Sequence, residues 1–267
     1  MIACRLLAAI GLILSMITPG LTQQRSAPQP TADELLMMNF YTDPQPARLV
    51  GFLERYEKIG QGWQPFPPVA GFFAIVFRRH PDWIGKLIPD QPDSRTAVAV
   101  AAALQLAGQP ALEGSVQSRL TNAGADASLS AELANLPLRL EELHVVTPTH
   151  LDLLWGASFA SGDERYARMI ADFLAETANR SELIDIDVAK TVLARMGGPQ
   201  EILGQLKDKY GEQVARQIIF ASVAAWGIEA NAQQQPFVDG FLTKYIAENP
   251  NSGTAKLLSA LRPRRRN

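Results

Sequence analysis

The side chains best suited to chemistry in this sequence are two histidines with acids around them. His144 and His150 lie six residues apart, with Glu141, Glu142 and Asp152 nearby. Imidazole and carboxylate groups are metal ligands. Helical metal sites, however, place their histidines at i and i+4, as in His-Glu-x-x-His, and that motif is absent. We therefore predict that the chain holds no metal.

Motifs for nucleophilic catalysis and phosphate binding are also incomplete. The segment around Ser158 reads Gly-Ala-Ser-Phe-Ala, so it lacks the second glycine of a nucleophile elbow, and no strand precedes it. The single cysteine, Cys4, lies at the extreme N-terminus, and no glycine-rich phosphate loop is present. We predict no cofactor and, as the leading interpretation, no catalytic centre. The alternative is a helical envelope enzyme that uses His150 with Asp152 or Asp163.

Aromatic residues suggest a binding surface instead. Such side chains supply large contact areas in grooves that hold peptides, although they also dominate ordinary cores. We predict a groove for a protein or peptide partner, with the alternative that most of these rings are core. Its lining would be Trp63, Phe66, Phe73, Trp83 and Trp155.

Charge excludes a general nucleic-acid binder. The 267 residues carry a formal net charge of -2, with no strong positive field over the chain. Residues 262–267 form a basic tail with four arginines, which would touch anionic lipid headgroups or an acidic partner. The alternative is a solvated terminus.

The first 22 residues are typical of a secretory signal. Arg5 precedes an apolar stretch over residues 6–17, and Pro19-Gly20 ends it. We predict cleavage near residues 20–24 and a periplasmic or secreted protein, with residues 23–30 as a flexible spacer. The alternative is an uncleaved membrane anchor and a structural role. Apart from this segment and the basic tail, we predict no membrane contact.

The body, residues 31–261, is predicted to be a single all-α domain. Thr31 and Glu34 form a capping box, and prolines, capping residues and glycines mark further helix boundaries. Predicted helices include 44–59, 67–80, 93–106, 148–161, 163–174, 181–196, 199–210, 212–226, 236–247 and 254–261. Residues 143–147 are the best candidate for a β-strand, but the segment is short and is followed by a proline.

Two segments favour an array of stacked antiparallel helical hairpins, resembling an irregular α-solenoid. Trp155-Gly156 and Trp226-Gly227 each lie in a helix, and an apolar stripe starts eleven residues after each tryptophan. Glycine costs a helix about 1 kcal/mol relative to alanine. Close approach of two helices would offset that cost at Gly71, Gly156, Gly227 and Gly240. The alternative is one irregular helical domain.

The segment 148–166, PTHLDLLWGASFASGDERY, resembles one found in a group of uncharacterised exported bacterial helical proteins. Residues 40–44 (FYTDP) and 71–74 (GFFA) are similar to the same group. The resemblance implies an exported all-helical protein and brings no known activity or catalytic residue. Together with the residue patterns, it predicts a non-catalytic scaffold or binding protein of the bacterial cell envelope.

Overall fold

A computed structural model describes residues 31–58, 66–109, 118–120, 123, 135–178 and 199–262. These residues form helices and connecting turns with no β-strand, which confirms the predicted all-α class for this part of the chain. The strand candidate 143–147 is a connection before a helix. The predicted signal, the spacer, helix 181–196 and the tail after Arg262 lie outside the described residues.

Eleven α-helices are described in full. They are α1 (Ala32–Asn39), α2 (Phe52–Glu57), α3 (Phe66–Arg79), α4 (Ile84–Leu87), α5 (Ser94–Leu106), α6 (Pro148–Ser161), α7 (Glu164–Ala178), α8 (Pro199–Tyr210), α9 (Glu212–Gln234), α10 (Pro236–Glu248) and α11 (Gly253–Leu261). Short 3-10 helices cover Phe40–Thr42, Pro46–Leu49, Pro81–Trp83 and Leu140–Glu142. Every described helix is too short or too polar to cross a lipid bilayer.

Polar side chains start the helices where the sequence predicts. The Thr31 hydroxyl accepts a hydrogen bond from the Glu34 N–H at 3.2 Å, and the Glu34 carboxylate accepts one from the Thr31 N–H at 2.6 Å. Asp93 caps α5 by accepting from the Thr96 N–H at 2.7 Å. These bonds satisfy amides that the helices leave unpaired.

The predicted helix over 44–59 is wrong in its first half. Residues Pro46–Leu49 form a 3-10 turn, and α2 begins only at Phe52. Gly51 separates the two with a φ of 71°, in the left-handed region that favours glycine. The apolar spacing gave no sign of this break, because both short helices bury their apolar residues.

The described residues fall into two compact units, which divide within α6. The first comprises the described residues up to His144 with Asp152–Gly162, and the second comprises Val145–Leu151 with the described residues from Asp163 onward. The prediction of a single domain over 31–261 stays a prediction, as does the stacking of hairpins into a solenoid.

Aromatic rings fill the core of the first unit. Helix α3 packs along α5, and Phe72 and Phe73 are completely buried. Phe72 meets Phe40 edge-on with centroids 5.2 Å apart, and Phe73 lies 5.8 Å from Phe52 and 5.4 Å from Phe77. Each of these large rings removes much apolar surface from water and so stabilises this unit.

A reciprocal glycine contact joins α3 to α6 within the first unit. A Cβ atom on Gly71 would lie 2.6 Å from the carbonyl carbon of Leu153, and one on Gly156 would lie 2.7 Å from that of Pro68. Only glycine allows the two backbones to come this close. The predicted close approach is therefore confirmed at Gly71 and Gly156. It is wrong at Gly240, which has open space within 4 Å.

Four helices of the second unit, α7, α9, α10 and α11, each contact the other three. Their shared core includes Tyr166, Ile228, Phe241 and Leu258. Helix α8 packs on the start of α9 through Leu206 and a small apolar cluster. Helix α9 continues eight residues beyond its predicted end at Trp226, because Gly227 and the residues after it are buried.

Candidate functional site

The five predicted groove residues have different surroundings. Phe73 is 1% exposed and Trp155 is 4% exposed, with the Trp155 ring stacked on Phe159 at 6.4 Å, so both are core residues. Phe66 begins α3, and its side chain, like all of Trp63, lies outside the described residues. Of the five, Trp83 is the one that the structure places partly at the surface.

Trp83 is held by the turn after α3. Its N–H donates to the His80 carbonyl at 3.0 Å, in the short 3-10 helix Pro81–Trp83. The Nζ atom of exposed Lys86 lies 4.5 Å from the centroid of the indole ring, a cation–π contact. Trp83 is thus a half-buried aromatic ring beside a cation.

His150 is engaged at the start of α6. Its side-chain Nδ1 atom accepts a hydrogen bond from the Val146 N–H at 3.2 Å, and its backbone N–H donates to the Thr147 carbonyl at 3.0 Å. The ring nitrogen therefore satisfies a backbone amide before the first helical turn. That bond occupies the lone pair that a general base would use at Nδ1.

Asp163 also accepts a backbone hydrogen bond, at the start of α7. Its carboxylate accepts from the Arg165 N–H at 2.8 Å and forms an ion pair with the Arg165 guanidinium at 3.3 Å. An acid beside the first turn also interacts favourably with the helix dipole. The side chain is thus committed to capping.

Asp152 differs from the other two members of the predicted catalytic set. Desolvation raises the pKa of its carboxyl from 3.8 to about 7. It follows His150 by two residues in one helix, a spacing that directs the two side chains to different faces. A carboxyl that titrates near neutrality is chemically suited to proton transfer.

Three carboxylates border a shallow open cleft in the first unit, namely Glu54, Glu57 and Asp90. Two of them support the fold. Glu57 accepts from the Asp93 N–H at 3.0 Å, and Asp90 forms an ion pair with Arg119 at 2.9 Å. Among the described residues, no group of three or more His, Cys, Asp or Glu side chains is arranged to hold a metal ion.

A buried acid in the second unit escaped the sequence reasoning. Glu229 is 5% exposed, and its Oε1 accepts from the Gln233 amide at 3.5 Å. Its Oε2 has no hydrogen-bond partner. The available signal was the spacing of one buried stripe of α9, which contains Ile218, Ser222, Ala225, Glu229 and Ala232.

No protein-family model, curated protein or solved structure matches this chain. The resemblance of residues 148–166 to exported helical proteins therefore stays a prediction.

Proposed function

We propose that this chain is an exported, non-catalytic helical scaffold or binding protein of the bacterial cell envelope. The observation that supports the proposal is that His150 and Asp163 each accept a hydrogen bond from a backbone N–H at the start of a helix. A general acid or base must reach its substrate. Here the His150 ring accepts from the backbone just before α6 and the Asp163 carboxylate accepts from the first turn of α7, so two members of the predicted catalytic set have local structural roles.

Export is supported by the signal pattern over residues 1–22, and the periplasm or the medium is the proposed location. Mass spectrometry of the intact protein, recovered from a bacterial host, tests this step. We expect an N-terminus between residues 20 and 24. A chain that retains Met1 in the membrane fraction would favour the anchored structural protein instead.

The proposed contact surface for a protein or peptide partner surrounds Trp83. An aromatic ring that is already held in place offers contact area at little cost in side-chain entropy. Trp83 has its backbone bonded to His80 in a 3-10 turn and its half-buried ring beside Lys86, which restrict the conformations of the side chain. Tryptophan is also among the residues that contribute most to binding at protein interfaces.

Site-specific photo-crosslinking in intact cells tests the surface. A photoreactive amino acid replaces Asp82, the exposed neighbour of Trp83, in one variant and exposed Lys256 of the second unit in another. We expect a discrete crosslinked partner from position 82 and none from position 256. No adduct at position 82, or the same adducts at both positions, would count against the surface.

A helical envelope enzyme is the second candidate, and the raised pKa of Asp152 favours it. The test is turnover of chromogenic ester and glycoside substrates by the purified wild type, Asp152→Asn and Asp163→Asn. An enzyme would lose turnover in the Asp152 variant and keep it in the matched Asp163 variant. Equal rates in all three would exclude a catalytic role for Asp152 with these substrates.

A further inference from the structure

Glu229 is an acid in a position normally taken by an apolar residue. It lies on the inner stripe of α9 and is 5% exposed, with one donor, Gln233, at the long distance of 3.5 Å. Its second carboxylate oxygen is buried with no partner. An ionised carboxylate can accept about four hydrogen bonds. The site therefore suits the neutral form better than the charged form.

Two charged groups from neighbouring elements act electrostatically on the Glu229 carboxyl, namely Asp239 and Arg262. Asp239 belongs to the first turn of α10, and Arg262 follows the last residue of α11. Arg262 is already paired with Asp239, and it also donates to the Thr243 hydroxyl at 3.1 Å. The cation that could stabilise an ionised Glu229 is thus shared with another acid.

The other helices packed on α9 supply little compensation. In α7, Arg168 and Asp172 act on Tyr245 of α10. In α8, Lys207 forms an ion pair with Glu212 at 2.8 Å. Desolvation is therefore the dominant effect on the Glu229 carboxyl, and it raises the pKa above 4.5, while the Gln233 amide and Arg262 lower it in part.

We propose that Glu229 is a proton-dependent lock on the C-terminal helix α11. With the carboxyl neutral, α11 packs against α9 and α10. When the carboxyl ionises, the buried charge favours an open form in which α11 separates and water reaches the carboxylate. This inference concerns regulation of the second unit and goes beyond the proposed binding function.

The sign follows from linkage. The packed form holds the proton more tightly than the open form, in which the pKa of Glu229 returns to its ordinary value near 4.5. Packing of α11 is therefore most favourable at low pH. Between the ordinary and the raised pKa, the opening equilibrium constant increases by roughly tenfold for each unit of pH.

Amide hydrogen exchange at Leu257 and Leu258, two buried residues of α11, tests the lock. Rates are measured by NMR on the full chain between pH 5 and 8 and corrected for the intrinsic pH dependence of exchange. In the wild type, we expect protection at both amides to fall as the pH rises. In Glu229→Gln, a neutral side chain of the same shape, we expect protection that is independent of pH.

The matched control is Glu248→Gln, which removes an exposed acid from α10 and should keep the wild-type pH dependence. A carboxyl ¹³C titration of Glu229 in the unmodified protein provides a readout that needs no variant. Two results would overturn the proposal. One is the same loss of protection in Glu229→Gln and the wild type, and the other is a Glu229 titration midpoint at or below 4.5.

Discussion

The close contact of α3 and α6 at Gly71 and Gly156 predicts that alanine at either glycine destabilises the protein, whereas alanine at exposed Gly240 stabilises it. In Gly156→Ala, the new Cβ atom would lie 2.7 Å from the Pro68 carbonyl carbon and 2.8 Å from the Phe72 nitrogen. Both are backbone atoms of α3, which cannot rotate away as a side chain can. The helices must therefore separate by on the order of 1 Å, which forfeits a quarter to a half of each dispersion contact across the gap.

The magnitude follows from two opposing terms. Overpacking in a well-packed interior costs about 1–3 kcal/mol, and the upper end applies here because backbone atoms must move. Replacing glycine by alanine inside a helix returns about 1 kcal/mol. We therefore expect Gly156→Ala to lower the free energy of unfolding by about 2 kcal/mol. Gly71→Ala should behave alike, because its Cβ atom would meet the Leu153 backbone.

Gly240→Ala is the matched control. Gly240 lies inside α10, is exposed, and has no heavy atom within 4 Å of a Cβ position. Here the propensity term acts alone, so we expect stabilisation of about 0.5–1 kcal/mol. The assay is urea unfolding of the full chain followed by circular dichroism, with amide exchange assigning each change to its unit.

The double variant Gly71→Ala with Gly156→Ala sharpens the test. A single separation of α3 from α6 makes room for both methyl groups. The double variant should therefore lose less free energy of unfolding than the sum of the losses in the two single variants. If Gly156→Ala instead raised stability as Gly240→Ala does, the close-approach reasoning would be refuted. Strict additivity of the two substitutions would show that the contacts are independent.

Three further predictions concern charge and capping. Because the pKa of Asp152 is raised to about 7, urea midpoints of the wild type should fall as the pH rises from about 4 to 7, and Asp152→Asn should remove that fall. Hydrogen bonds from Lys207 and Arg216 lower the pKa of Glu212 to about 2. Its pairing therefore stabilises the fold above pH 4.5, and this stabilisation is lost as the pH falls towards 2. Because the pair is exposed, 1 M NaCl should raise the Glu212 titration midpoint measured by carboxyl ¹³C NMR. Asp93→Ala should cost about 1 kcal/mol in urea unfolding and Asp93→Asn much less, because asparagine still caps α5.

Helix class was predictable because local signals agreed with one another. The capping box at Thr31, the cap at Asp93 and the stop at Gly108, where φ is 73°, all lie where the sequence indicates. The errors arose where tertiary packing decides. The predicted end of α9 at Trp226 is eight residues too early, because burial of the following residues outweighs the cost of Gly227 within the helix. No local pattern reports that burial.

The candidate site was less predictable for the same reason. Clustered aromatic residues indicate either a groove or a core. Which of the two applies depends on whether each residue lies in a packed helix or in a surface turn. Phe73 and Trp155 lie within helices and are buried in the core, whereas Trp83 lies in the 3-10 turn between α3 and α4. Composition alone could not rank Trp83 above the others. Its turn could be recognised from Pro81, but the Lys86 contact depends on the fold of α4.

Asp152 and Glu229 have one physical feature in common: each acid is desolvated enough for its pKa to rise. An amide of the same shape at either position would avoid the cost of ionisation in a buried environment. Sequences depart from the arrangement of lowest energy chiefly where a site does something else. The first unit thus contains a carboxyl whose charge the fold opposes, Asp152, and the second contains Glu229 together with Asp172, whose pKa desolvation also raises. The Asp152→Asn and Glu229→Gln variants test this for the two carboxyls. In each variant, the measurement shows whether a gain in stability at neutral pH is accompanied by a loss of turnover or of pH response.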